Sequence, residues 1–365
     1  MLVRNVASQS AFKFRYLKTF SATDLGSKYR FFSTGSTALI KLLQNLGIEN
    51  GSSILIPSFI CDSVTSALEC TGYKVIFIEP GRNQLWPEVV SLMQVVERKK
   101  IDAVLFVEYF GFEIRGSSEI FRIFEAQGIP IIIDRCHSSL LAADYDSRVR
   151  NKIFSFSKSL PVHRLGAYEI FNGVSVEKSN LMPFITLFLV KNFLVSILFQ
   201  IKYTGVSIFT IKNWLLALRS RTFESRQNIN LRSLKVSAPV ISMLFDQVFL
   251  HRCRRRRRTC YLRLTRHAEV LGYEVVQLCS NDIPQAFVIR SEDSSMVERL
   301  RARGIGAYRW PGPNIPEVVR NDTGSYPKAN ALASSLVCIP LHEDLKLPDL
   351  DWIIKILGLI KGGHK

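Results

Sequence analysis

Four short strand-like runs in the first half of the chain lack the polar alternation of a half-exposed sheet. They are Ser53-Ile54-Leu55-Ile56, Lys74-Val75-Ile76-Phe77-Ile78, Ala103-Val104-Leu105-Phe106-Val107 and Ile131-Ile132-Ile133. Strands that are apolar on both faces belong in a parallel sheet covered on both sides. Helix-like stretches at about 36–47, 61–71, 86–98 and 117–127 separate them. This alternation predicts an α/β domain with a mainly parallel sheet flanked by helices. In such sheets ligands bind beyond the carboxyl ends of the strands. The pattern changes after about residue 235, where a basic helix (about 240–270) precedes strand-like runs at 274–278 and 286–290 and a helix at about 294–303. The expected organisation is a large α/β domain over 1–235 and a smaller α+β domain over 236–365, and 365 residues suffice for both cores.

The net charge is +17, and much of the excess lies in Arg252 and the run Arg254-Arg255-Arg256-Arg257-Arg258. The plain expectation is a solvated helix face; the sharper one is a site for a phosphate-bearing partner. No aromatic interleaving accompanies the arginines, so no nucleic-acid partner is expected. Seven scattered cysteines without a CxxC or a zinc-like Cys/His spacing fit reduced thiols, with no metal site. Residues 1–18 lack the apolar core of an export signal, so a cytoplasmic setting is expected. Residues 181–217 are rich in large apolar side chains, but Lys191 and Asn192 interrupt them. Asn192, Ser196 and Gln200 form one polar stripe on a helix. A buried or subunit-interface helix is the first reading, and a helix lying on a membrane surface, helped by Arg252–Arg258, is the second.

Three short segments carry chemistry. Ser33-Thr34-Gly35-Ser36-Thr37-Ala38-Leu39 precedes an apolar-periodic helix, where amides and hydroxyls at a helix N-terminus favour an anion. Asp134 ends a buried strand, with His137 three residues on, and Lys158 follows Phe154-Ser155-Phe156-Ser157. Each has an ordinary explanation: an N-cap, a cap for the next turn, a core histidine, a surface lysine. Their order, each after a strand of one sheet, fits pyridoxal phosphate (PLP). A lysine amine can hold this cofactor as a Schiff base, and a carboxylate can keep its ring nitrogen protonated.

These segments resemble the DegT/StrS-type PLP-dependent sugar aminotransferases, of the aspartate-aminotransferase fold. Ser33 to Leu39 is similar to that family's SGTxAL phosphate cup. Ile56-Pro57-Ser58-Phe59 matches its VPSF block, Val107 to Gly111 its V-x-x-x-G strand end, Asp134 to His137 its ED-x-A-Q/H, and Phe154 to Leu160 its FSF…K-N-L. Gly304-Ile305-Gly306 and Leu336 to Leu345 extend the likeness. The resemblance implies a PLP-transferase of fold type I. Lys158 would anchor the cofactor and shuttle the proton, Asp134 would pair with the ring nitrogen, and His137 would meet the ring hydroxyl. Gly35, Ser36, Thr37 and Ser155 would hold the phosphate, and Cys61 stands where an aromatic usually stacks on the ring. Arg309 and His342 are weaker substrate candidates.

The chain departs from that pattern at Cys61, at His163-Arg164-Leu165-Gly166 in place of GEGG, and near Lys235 to Ala238, where the GYN loop is not visible. The implied activity is transfer of an amino group from an amino acid such as glutamate to a keto-sugar, nucleotide-linked, by a homodimer, in polysaccharide or secondary-metabolite synthesis. The alternatives are other PLP chemistry, such as dehydration, and a non-catalytic, membrane-associated relative.

Overall fold

The computed structural model describes residues 3–4, 29–138, 151–159, 165–169, 203–204 and 247–363. A two-residue strand β1 (Val3–Arg4) pairs antiparallel with β9 (Tyr203–Thr204). The main sheet has seven strands: β2 (Tyr29–Phe32), β3 (Ser53–Pro57), β4 (Lys74–Ile78), β5 (Ala103–Val107), β6 (Ile131–Asp134), β7 (Asn151–Ser155) and β8 (Gly166–Glu169). Their spatial order is β2-β8-β7-β6-β5-β3-β4. Strands β7, β6, β5, β3 and β4 run parallel, while β8 is antiparallel to both β7 and β2. Every residue of β5 and β6 is buried, as their unbroken apolar sequence requires of central strands.

Amphipathic helices cover the sheet: α1 (Gly35–Asn45), α2 (Asp62–Cys70), α3 (Val89–Arg98) and α4 (Ser117–Glu125). In α4 the buried residues are Ile120, Phe121 and Phe124, spaced to form one stripe, and Phe121 and Phe124 both pack against Phe106 of β5. The four-residue α5 (Phe156–Ser159) follows β7 directly. The α/β class expected from the alternating pattern is therefore the observed one.

A second sheet is built from β10 (Glu274–Val275), β11 (Ala286–Arg290) and β12 (Leu336–Pro340), all antiparallel. Around it lie α6 (Gln247–Val270), α7 (Met296–Ala302), α8 (Glu317–Asn321), α9 (Pro327–Ser335) and α10 (Leu347–Gly362). The boundary expected near residue 235, and the apolar segment 181–217 apart from Tyr203–Thr204 of β9, fall outside the described residues.

The arginine run of α6 is mostly engaged rather than solvated, which corrects the expectation of a solvated face. Arg256 donates from Nε to the Leu345 carbonyl at 3.1 Å, and Arg257 is buried beside Glu343 at 3.6 Å. Arg258 donates to the carbonyls of Cys279 and Asp282. Arg252 and Arg255 remain exposed. The run is a set of staples between α6 and the loops of the second sheet. Composition alone does not reveal such carbonyl partners.

The two sheets meet where the 282–285 segment lies on the turn after β5. Ile283 N donates to Gly111 O at 3.0 Å, and Gln285 N donates to Phe110 O at 2.7 Å. Asp282, fully buried, accepts from Arg115 Nη1 and Nη2 and from the Glu113 amide. On the opposite flank Glu79 accepts from Ser58 Oγ and from the amides of Lys328 and Ala329, which closes the N-terminus of α9. At Gly111 the backbone has φ +86°, and a Cβ there would lie 2.0 Å from the Ile283 carbonyl oxygen. Gly111→Ala is therefore expected to destabilise the protein by more than about 2 kcal/mol, through strain and overpacking. Urea denaturation followed by circular dichroism checks this; a midpoint equal to wild type would mean that the contact relaxes without cost.

Candidate active site

The carboxyl edge of the main sheet collects the chemistry. Asp134 closes β6, level with Ile153 of β7, and Lys158 follows β7 on α5. Gly166 opens β8 at the same edge, and Thr34 follows β2. Because β8 runs antiparallel, its start lies beside the ends of its neighbours. A Cβ on Gly166 would lie 2.1 Å from the Thr34 carbonyl oxygen, so a glycine lets the start of α1 close down on the sheet.

Thr34 caps α1: its Oγ1 accepts from Thr37 N at 3.1 Å and pairs with Thr37 Oγ1 at 2.9 Å. The first-turn amides of Gly35 and Ser36 have no carbonyl within the helix to accept them, and the helix dipole adds positive potential. Gly35 is packed so closely that a Cβ would sit 2.8 Å from Cys136 Sγ and 3.5 Å from the Ser155 Cβ. The N-terminus of α1 thus lies within one side chain of the Asp134–His137 turn. These amides, the Ser36 hydroxyl and buried Ser155 are a donor set that suits a phosphate.

Asp134 is buried and accepts from the Cys136 amide at 2.8 Å. Burial and the Asp134 charge hold the Cys136 thiol well above its usual pKa, so it remains protonated. The same two causes raise the Tyr109 phenol, which donates to Phe59 O at 2.6 Å. A carboxylate at a strand end, beside groups kept neutral, suits a protonated ring nitrogen as its partner. Lys158, half-buried, lies near enough for its charge to act on both Cys136 and His137.

His137 is buried, and its Nδ1 accepts from the Phe110 amide at 3.0 Å, which places the proton on Nε2. Its ring stacks on Phe110 at 5.6 Å and meets the edge of Trp310 at 4.7 Å. Burial, then the charge of Lys158, lowers its pKa well below the usual 6.5. The Phe110 backbone has φ +56°, an unusual state for a phenylalanine. It is held there by His137 on its amide and Gln285 on its carbonyl.

The expected residues thus divide. Gly35, Ser36, Thr37, Asp134, His137, Ser155 and Lys158 gather at one edge. Cys61 lies on the same edge at the start of α2, but its sulfur accepts from Ser63 in its own turn at 3.4 Å. Arg309 donates to the Asp293 carbonyl at 2.8 Å, while its neighbour Trp310 enters the cluster. His342 is buried beyond β12, next to Leu341, whose amide donates to Gln285 O. His163 and Arg164 fall outside the described residues.

Gln285 was missed in the sequence, as was the buried set in which Glu108 accepts from Arg135 Nε at 3.2 Å and from Ser138 Oγ. Trp310 belongs to the Tyr308-Arg309-Trp310-Pro311 run after Gly304-Ile305-Gly306, which the sequence places at the site mouth. Gln285 carries no local signal. Among the described residues no cluster of His, Cys, Asp and Glu suits a metal ion.

The mostly parallel seven-stranded sheet flanked by helices, with a second small antiparallel sheet, is the fold shared with solved aminotransferases. The model of the DegT/DnrJ/EryC1/StrS aminotransferase family matches residues 25–158. Comparison with curated proteins found no match. Among solved structures, the PLP form of a sugar aminotransferase from Streptococcus pneumoniae, Spr1654, has a TM-score of 0.71 at 14% identity, covering 99% of this chain and 100% of that one. PseC from Helicobacter pylori, an aminotransferase of pseudoaminic acid biosynthesis, has a TM-score of 0.69 at 13% identity, covering 99% and 100%. The Brucella abortus member of the family has a TM-score of 0.64 at 17% identity, covering 95% and 88%. At such identities the likeness carries the fold.

His137 also sets a pH dependence. Its folded pKa lies below the unfolded value of 6.5, so the unfolded chain binds the extra proton first as pH falls. Its contribution is full above pH 6.5 and is lost on acidification toward the folded pKa. In His137→Gln this loss disappears. The stability gap between wild type and variant should move toward the variant by up to about 1.4 kcal/mol per pH unit below that value. Denaturation at pH 7.5 and 5.5 measures it; a gap independent of pH would mean that His137 titrates normally.

Proposed function

We propose that the chain is a PLP-dependent aminotransferase that moves an amino group from an amino acid, glutamate first, to a keto-sugar, nucleotide-linked, in polysaccharide or secondary-metabolite synthesis. The observation that carries the reading is the convergence of Asp134, Lys158 and the N-terminus of α1 at the carboxyl edge of one sheet. Pyridoxal phosphate, when bound, supplies an electron sink for the amino-bearing carbon. Lys158 would hold the cofactor covalently until the amine of the amino donor displaces it, and its freed Nζ would take the proton from that carbon and return it. Asp134 keeps the ring nitrogen charged. The amides of Gly35 and Ser36, with the hydroxyls of Ser36, Thr37 and Ser155, anchor the phosphate.

His137, neutral and with Nε2–H as donor, is suited to a ring hydroxyl. Trp310, Phe110, Phe59 and Tyr109 supply apolar cover that limits water at the edge. The sugar acceptor draws support from the family match and from the solved relatives that are named sugar aminotransferases. A homodimer is proposed on the family's habit of completing sites across a subunit interface. No helix among the described residues is long and apolar enough to cross a membrane. A cytoplasmic setting is proposed, and exposed Arg252 and Arg255 are what remains of the basic run for a membrane contact.

Adding pyridoxal phosphate to the purified protein should give a visible absorbance band that borohydride bleaches. Lys158→Ala should lack the band. Asp134→Asn should keep it yet lose at least about a hundredfold in nitrogen transfer from labelled glutamate, the scale of one lost charge-stabilising group. A band of equal strength in wild type and Lys158→Ala would rule out Lys158 as the anchor. A wild-type band without nitrogen transfer to any keto-sugar would leave the dehydration reading.

A further inference from the structure

Lys158 sits in a four-residue helix, too short to fix its own orientation. Its carbonyl has a partner from the far side of the fold: Gln285 Nε2 donates to Lys158 O at 2.7 Å. The backbone of Gln285 is itself held on both sides. Its amide donates to Phe110 O at 2.7 Å, and its carbonyl accepts from the Leu341 amide at 3.2 Å. Phe110 in turn fixes His137 through the amide on Nδ1. Three residues back, Asp282 is bonded to Arg115, and two residues back, Ile283 rests on Gly111. Gln285 is therefore a rigid post whose amide reaches Lys158.

We infer that Gln285 is a positioning residue that sets the Lys158 turn against the Asp134 edge, so that the docking of the second sheet on the first fixes the reactive amine. The inference rests on the proposed function. It predicts that the donor matters, and not only the shape of the side chain. Gln285→Met keeps length and backbone bonds but removes the donor. Gln285→Glu keeps the shape and places an acceptor against the Lys158 carbonyl.

The test follows growth of the borohydride-sensitive visible band after adding pyridoxal phosphate to the full chain, with thermal unfolding of the cofactor-free protein as the control. Gln285→Met should form the band about fivefold more slowly, the effect of one hydrogen bond, and Gln285→Glu at least as slowly. The unfolding midpoints should stay close to wild type, because the backbone bonds of the seam persist. If Gln285→Met folds poorly, Gln285→Glu alone decides. Wild-type kinetics in Gln285→Glu would assign the residue to packing and overturn the inference while leaving the proposed function intact. A wild-type protein that forms no band would overturn both.

Discussion

Contact between Gly111 and the Ile283 carbonyl governs the geometry of the whole edge. Two backbones approach so closely that a single Cβ could not stand between them. The approach lets the 283–285 segment hydrogen-bond to residues 110 and 111 as a short ladder. From that ladder three consequences follow. Phe110 is pinned in a left-handed conformation, His137 gains a fixed amide donor, and Gln285 comes within reach of Lys158. Buried Asp282, clamped by Arg115 and the Glu113 amide, resists separation of the ladder, since breaking that pair would leave an uncompensated charge.

Electrostatics at the edge are simple because most neighbours are kept neutral. Tyr109 and Cys136 are held protonated by burial and by Asp134, and His137 is held unprotonated by burial and by Lys158. Asp134 and Lys158 each act electrostatically on Cys136. A second buried pair, Glu108 with Arg135, lies directly behind them on the adjacent strand ends. Arg135 follows Asp134 directly, and Glu108 follows Val107 at the end of the neighbouring strand.

What was legible in the sequence is what local pattern can encode. Uniformly apolar strands separated by amphipathic helices implied the parallel sheet. Asp134, Lys158 and the Gly35 segment could be read because each follows its strand at short range. Gln285 could not be read this way. Its importance comes from a contact with a residue more than a hundred positions away, Lys158. The arginine run was misjudged for the same reason. Arg256 and Arg258 are satisfied by main-chain carbonyls, which leave no charge signature in a sequence. Arg257 does have a carboxylate partner, Glu343, but it lies far along the chain.

Cys61 stands where the resembled family carries an aromatic. A missing aromatic there looks like the loss of a stacking surface. The edge nevertheless carries a continuous aromatic group: Phe59 on Tyr109, Tyr109 on Phe110, Phe110 on His137, with Trp310 touching all four. Trp310 comes from the loop after Gly304-Ile305-Gly306, so this cover depends on the second sheet being docked. The same docking brings Gln285 to Lys158. The apolar cover and the positioning of the amine are thus consequences of one packing event. A change that loosened the Gly111–Ile283 contact would expose the edge to water and free the lysine turn together.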